Sequence, residues 1–197
     1  MTLAIRRIDP AAQLPTYAHP GDSGMDVRSI ETVTLRPGDR ALVQLAEDMV
    51  DTMHKARGVG LAAPQVGRLE AMCVIDVPAD CEEDDETRAF NAAIAMPLVM
   101  FNPVIVATEG SQDGKEGCLS LPNMSAPVVR AAQVTCQYTD VHGMPQIVTA
   151  RGFLARALLH ETDHLSGILY VDHLSAVDKL AMAKKLQKLA KKNGGNL

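Results

Sequence analysis

The chain has 197 residues, 47% of them hydrophobic and 22% charged, with a net charge of −5. This excludes a disordered acidic tail, a collagen-like repeat and a coiled-coil rod, and it argues against a nucleic-acid-binding domain, so no DNA partner is expected. No apolar stretch follows the opening Met-Thr-Leu-Ala-Ile-Arg-Arg and no run of about 18 apolar residues occurs, so neither a signal peptide, a membrane span nor a membrane partner is expected, and the default is a cytoplasmic protein with reduced thiols.

In chain order, the first periodic segment is 40–57. Leu42, Leu45, Ala46, Met49, Val50 and Met53 fall on one helical face, with Asp39 a candidate N-cap and Gly58 and Gly60 the stop. Residues 71–77 are a short apolar run closed by Pro78, the pattern of a strand. The segment 79–96 follows, with six acids between Asp80 and Glu86, and reads as a solvated loop. Residues 98–106 resume a strand, interrupted at Asn102-Pro103 as at an edge or a bulge. Residues 127–138 and 145–151 pair across a turn at 140–143. A helix starts near Gly152 and runs to about Leu165, stopped by Gly167. A last helix begins at Ser175 and ends in Lys-Lys-Asn-Gly-Gly. It carries six lysines against Asp178, with Leu180, Ala183, Leu186, Leu189 and Ala190 opposite them. Strands and helices segregate, so the fold class is α+β.

Three segments carry chemistry. His160-Glu161-Thr162-Asp163-His164 places two imidazoles one turn apart on a helix, where they can share a metal ion, with Glu161 beside them to take a proton from bound water. A third ligand must come from elsewhere. Cys118, in Glu116-Gly117-Cys118-Leu119-Ser120, is the candidate, although a lone Cys is more often a small core residue. Gly58-Val59-Gly60-Leu61-Ala62-Ala63-Pro64-Gln65 describes a backbone that something approaches closely, with a side-chain amide at Gln65 able to donate to an oxyanion. Cys73 and Cys136 read as core residues and Cys81 as an exposed thiol. His19, His54 and His142 read as surface residues, and His173 has no assigned role.

Together and in this order, Gly58 to Gln65, Glu116 to Ser120 and His160 to His164 resemble the peptide deformylase family, with the likeness running from about Leu45 to about Ser175. The resemblance implies small antiparallel sheets packed around a central metal-binding helix, with a C-terminal helix. It implies a hydrolase that removes the formyl group from the N-terminal methionine of nascent proteins. Cys118, His160 and His164 would bind one divalent ion, typically Fe(II), for which Zn, Ni or Co can substitute. Metal-bound water would attack the formyl carbon, with Glu161 as general base and then acid. The Gln65 amide and the Leu119 backbone N–H would hold the oxyanion. Val59, Gly60 and Gly117 would offer backbone to an extended peptide. Val59, Phe153, Ala157 and the stem of Glu116 would form the methionine pocket. Arg130 would pair with Glu116 and steady the strand bearing Cys118.

The chain departs from the family pattern at Leu159, where Gln is usual, at Ser125, where many members carry Arg, and at Gly114, where a larger apolar residue often lines the pocket. The acidic 79–96 segment is longer than expected and is a candidate for the pocket rim. Residues 7–43 resemble the opening of a dUTP nucleotidohydrolase without that family's remaining motifs. The expectation is therefore one deformylase-like domain over 1–197, with an atypical segment 1–43 and a basic helix 176–197 that reads first as a surface helix with a solvated basic face, weak docking on ribosomal RNA being the functional alternative. The rivals are a zincin-type metallopeptidase, which needs a downstream Glu or His as third ligand, and a catalytically weak deformylase-like binding protein.

Overall fold

The computed structural model describes residues 40–192. Asp39, the part of the segment 1–43 before residue 40, and residues 193–197 lie outside them. The first helix, α1 (Arg40–Lys55), buries Leu42, Ala46, Met49 and Met53, the stripe expected from the periodicity. It stops two residues short of the expected end, because Arg57 takes a left-handed conformation (φ 59°) and the Gly58 N–H returns to the Met53 carbonyl at 2.9 Å.

Seven strands follow: β1 (Gly60–Ala62), β2 (Met72–Ile75), β3 (Leu98–Glu109), β4 (Gln112–Cys118), β5 (Leu121–Arg130), β6 (Gln133–Thr139) and β7 (Pro145–Arg151). Five make one antiparallel sheet in the order β1-β2-β3-β6-β7, and β4 and β5 make a separate two-stranded sheet. The expected single strand 127–138 is thus two strands in two sheets. Arg130 ends one and Gln133 begins the other. The expected strand at 98–106 is longer and lies inside the sheet, where the Asn102-Pro103 interruption is a bulge between the Phe101 and Val104 pairings. The turn at 140–143 joins β6 and β7 as expected, with the Asp140 side chain accepting from His142 N and Met144 N.

Helix α3 (Gly152–Leu165) lies across one face of the large sheet and α1 across the other. All four residues of β2 are therefore buried. Cys73 and Ile75 pack with Leu154, Leu158 and Ala155 of α3, and Met72 and Val74 with Met49 and Met53 of α1. Methionines do much of the filling in this aromatic-poor chain, because an unbranched thioether adapts to irregular gaps. Cys73 and Cys136 are core residues, as expected, and all four cysteines are free thiols.

A third cluster joins β5 to the C-terminal part through Leu121, Met124, Val128, Tyr170, Leu174 and Met182. The helix α4 (Ala176–Lys192) starts on Ser175, whose hydroxyl accepts from Asp178 N at 3.2 Å. Its packed side is Met182 with Leu186. Leu180, placed on the apolar side from the sequence, is 77% exposed.

The acidic segment departs most from expectation. Five of its six acids are exposed, as expected, but it is not only a loop: α2 (Asp85–Asn91) forms within it, capped by the Asp84 side chain on Thr87 N at 2.7 Å. Glu82 is buried, and Cys81 is half-buried against the sheet core. Charge density marks the segment as acidic but says nothing of which single acid finds orphan N–H groups to satisfy. Here they are the first N–H groups of α3. None of the helices of the described residues is long and apolar enough to cross a membrane.

Candidate metal centre and cleft

Helix α3 brings His160 and His164 to one face, their Nε2 atoms 3.2 Å apart. Cys118, the last residue of β4, sets its Sγ 3.2 Å from His164 Nε2, and the three ligand atoms all lie within 4.8 Å of one another. Four-coordinate metals with bonds near 2.0 Å to nitrogen and 2.3 Å to sulfur separate such ligands by roughly 3.3–3.6 Å. One thiolate and two imidazoles at these spacings therefore fit a divalent transition metal. His173, the downstream residue a zincin would draw on, instead bonds Asp163 Oδ2 at 2.7 Å and meets Arg130 Nη1 at 3.1 Å.

The supporting groups fix the ligands. His160 Nδ1 meets Glu116 Oε2 at 3.0 Å, which turns Nε2 toward the cluster. Arg130 grips the same carboxylate with both Nε (2.8 Å) and Nη2 (3.0 Å), and its Nη1 reaches Asp163 at 2.6 Å. Arg156 adds a bond from Nη1 to Glu116 Oε1 at 2.9 Å. Burial pushes the Glu116 carboxyl up, but the bonds from His160 and Arg130 outweigh it and bring it down to about 2. Burial likewise pushes the Cys118 thiol up, while hydrogen bonds from His160 and His164 bring it down to about 5. His160 is disfavoured as a cation by burial, yet Cys118 and Glu116 raise it to about 10. A divalent cation held by these three atoms would bind the sulfur as thiolate and the imidazoles as neutral rings, so binding would release protons.

Glu161, the next residue on α3, also lines the cleft. It is 4% exposed, and burial raises it to about 7 against the pull of the two histidines. Among the described residues its Oε2 is one of two buried side-chain oxygens without a hydrogen-bond partner, the other being Tyr170 OH. Gly60 lies directly against it: a Cβ at position 60 would come within 2.7 Å of Glu161 Cδ and 2.8 Å of its Cγ.

These groups open on a cleft of about 860 Å³. Val59, Gly60, Gln65, Glu116, Gly117, Cys118, Leu119, Phe153, Ala157, His160 and Glu161, all singled out from the sequence, line it. His164 and Arg130 do not; they stand behind it. Gln65 sits on the single turn after β1, its Oε1 accepting from Ala62 N at 2.8 Å, so that Nε2 faces Ser120 Oγ (3.1 Å) and Cys118 Sγ (3.5 Å). Ser125 lines the cleft as well. Gly114 does not. A Cβ there would come within 2.8 Å of Arg156 Nη2, so the missing side chain makes room for a buried guanidinium rather than widening the pocket. No residue of the acidic segment 79–96 lines the cleft, which removes its expected place at the rim.

Arg156 was not foreseen. Its signal was a charged residue four positions before His160, inside the apolar run Leu154 to Leu159. It donates to the carbonyls of Val128 (2.9 Å) and Gly114 (3.4 Å) as well as to Glu116.

A family model described as polypeptide deformylase matches residues 22–180. The match begins well before Leu45, so part of the segment likened to a dUTP nucleotidohydrolase falls inside it. A peptide deformylase of Roseiflexus sp. (strain RS-1) is 40% identical over 186 residues, 90% of this chain and 93% of that protein. One from Roseiflexus castenholzii is 45% identical over 148 residues, 74% of this chain and 80% of the other. The crystal structure of a peptide deformylase from Legionella pneumophila superposes with a TM-score of 0.66 at 37% identity, covering 83% of this chain and 89% of that one. The Ehrlichia chaffeensis enzyme in complex with actinonin gives 0.67 at 35% identity, covering 78% and 86%. Similarity of this extent, in sequence and in fold, decides against the zincin alternative: the chain belongs to the peptide deformylase family.

Proposed function

We propose that the chain hydrolyses the formyl group from the N-terminal methionine of nascent polypeptides. One observation carries the reading: Cys118 Sγ, His160 Nε2 and His164 Nε2 converge at the wall of a cleft lined by Glu161, whose buried Oε2 has no hydrogen-bond partner among the described residues. A divalent ion held by these three, Fe(II) foremost with Zn, Ni or Co able to replace it, supplies Lewis acidity toward the attacking water and the formyl oxygen. Glu161 takes a proton from the water as its oxygen bonds to the formyl carbon. It returns the proton to the amide nitrogen as the C–N bond breaks, leaving a free amine and formic acid, which gives up its own proton to become formate. A carboxyl raised toward neutrality is matched to both halves of that exchange.

The oxyanion is assigned to the Gln65 amide, whose Nε2 lies 3.5 Å from Cys118 Sγ, and to the Leu119 N–H, both residues lining the cleft. Edge strand β1 and strand β4 flank the cleft, which suits an extended peptide adding its backbone at Val59, Gly60 and Gly117. Val59, Phe153, Ala157 and the apolar stem of Glu116 receive the methionine side chain. Arg130, Arg156 and Glu116 act behind the ligands by holding His160 in one tautomer and one place.

Nascent chains as substrate imply work in the compartment of translation, the cytoplasm. The lysines of 176–197 suit weak contact with ribosomal RNA. Replacing Lys184, Lys185, Lys188, Lys191 and Lys192 by Gln removes the charge and keeps helix propensity. Ribosome co-sedimentation unchanged by that replacement overturns the contact. Residues 1–197 are taken as one deformylase-like domain. An anaerobic assay of a formyl-Met peptide with protein loaded with Fe(II), Ni(II) or Co(II) tests the activity. No turnover with the metal measured as bound overturns it.

A further inference from the structure

Helix α3 carries the pocket residues Phe153 and Ala157 and the centre's His160, Glu161 and His164, yet its own preceding residue, Arg151, gives it no side-chain cap. The cap comes from the acidic segment. Glu82, 5% exposed, accepts Phe153 N on Oε2 at 2.9 Å and Leu154 N on Oε1 at 3.1 Å, across 71 and 72 positions of chain. Asn91 of α2 donates to Glu82 Oε1 at 2.8 Å, and its amide closes on Arg151 through both the carbonyl (3.0 Å) and the N–H (3.1 Å). Arg88 secures the other side by donating to the Glu82 and Ala79 carbonyls. Gly152, at φ +60°, has no room for a Cβ, which would come within 2.6 Å of Thr87 Cγ2.

A local cap stabilises a helix wherever the helix lies. A cap delivered from a distant segment also fixes where the helix starts relative to the rest of the protein, since moving α3 along its axis would pull two N–H groups off one buried carboxylate. The residue whose N–H is held, Phe153, is itself in the cleft wall, and Ala157 follows one turn later. His160 is two turns on and is held separately by Glu116. The effect of the cap therefore falls on the pocket more than on the ligands.

We propose that Glu82 is a positioning residue for substrate, setting where Phe153 and Ala157 stand in the cleft through the start of α3 and without touching the peptide. The inference rests on the deformylase reading. The test uses full-length Co(II)-loaded protein and the variants Glu82→Ala and Glu82→Gln, the second keeping shape and one acceptor. KM and kcat for a formyl-Met peptide and the cobalt absorption spectrum are read at a temperature well below melting, and the melting temperature is measured separately on the same preparations. Expected for Glu82→Ala is a KM about tenfold higher with kcat within about twofold and an unchanged cobalt spectrum, Glu82→Gln falling between it and wild type. A lowered melting temperature with KM unchanged in both variants overturns the proposal, leaving a cap of stability alone. A fall in kcat with an altered cobalt spectrum also overturns it, because Glu82 would then act on the ligands. A wild type without turnover refutes the deformylase reading before any variant is made, and this inference falls with it.

Discussion

Replacing Gly60 by Ala puts a methyl group against the one carboxylate that the proposed mechanism moves protons with. The new Cβ would lie 2.7 Å from Glu161 Cδ and 2.8 Å from Cγ, and it is closer still to Oε1. Because three consecutive atoms of the side chain are involved, turning the carboxylate about its last torsion relieves nothing. Ordinary contact begins near 3.4 Å, so the side chain must retreat by about 1 Å. It has little space to do so, being 4% exposed. Misplacement of a reacting group by that amount costs on the order of 100-fold in kcat, about 2.7 kcal/mol of barrier. The three nearest heavy atoms to the new Cβ all belong to Glu161 and none to Cys118, His160 or His164, so metal content should stay at the wild-type level. Overpacking adds about 1–3 kcal/mol of destabilisation. The assay is kcat on a formyl-Met peptide with Co(II)-loaded protein, with metal content and thermal melting on the same preparation. A kcat within about threefold of wild type, in folded and metal-loaded Gly60→Ala, would refute both the placement of Glu161 and its role.

Glu161→Gln should keep the bound metal and lose turnover by about 10²–10⁴-fold, the usual worth of a general base, as read by steady-state kinetics beside metal analysis. Cys118→Ala should lose the metal on dialysis, measured by elemental analysis; full retention would reopen a site without the cysteine. Arg130→Met strands part of the Glu116 carboxylate in a buried setting and should cost about 3–5 kcal/mol in urea unfolding. Gly114→Val should destabilise by about 1–3 kcal/mol, since its side chain would displace the Arg156 guanidinium, with unfolding at unchanged slope as the check.

Whatever depends on near neighbours in the chain was legible. The interval from His160 to His164 guarantees one helical face, whatever the helix packs on, and α3 runs over the expected residues. The stripe from Leu42 to Met53 dictates a half-buried helix, and Gly58 to Gln65 marks backbone held close to something. Burial of two of the remaining cysteines follows from their apolar strands. The segments that misled were those whose meaning lies across the chain. Residues 127–138 carry one continuous strand-like pattern, and nothing local says that the chain changes sheets after Arg130. The stretch from Gly114 to Ser125 shows no apolar alternation strong enough to reveal β4 and β5, because one face of that hairpin is turned to the cleft rather than to a core.

Sequence by itself determined the family and the candidate ligand set, Cys118, His160 and His164, which the structure brings together. Metal ligation needs particular atoms at particular spacings, and these recur as short strings of residues. Only the tertiary structure decided what stands behind them. Arg156 is buried because Gly114 leaves a space beside it and four acceptors surround it. Glu82, one acid among six, is buried because two backbone N–H groups at the start of α3 have no other partner within reach. Burial of a charge is settled by which partners arrive in three dimensions, and neither partner is near in the chain.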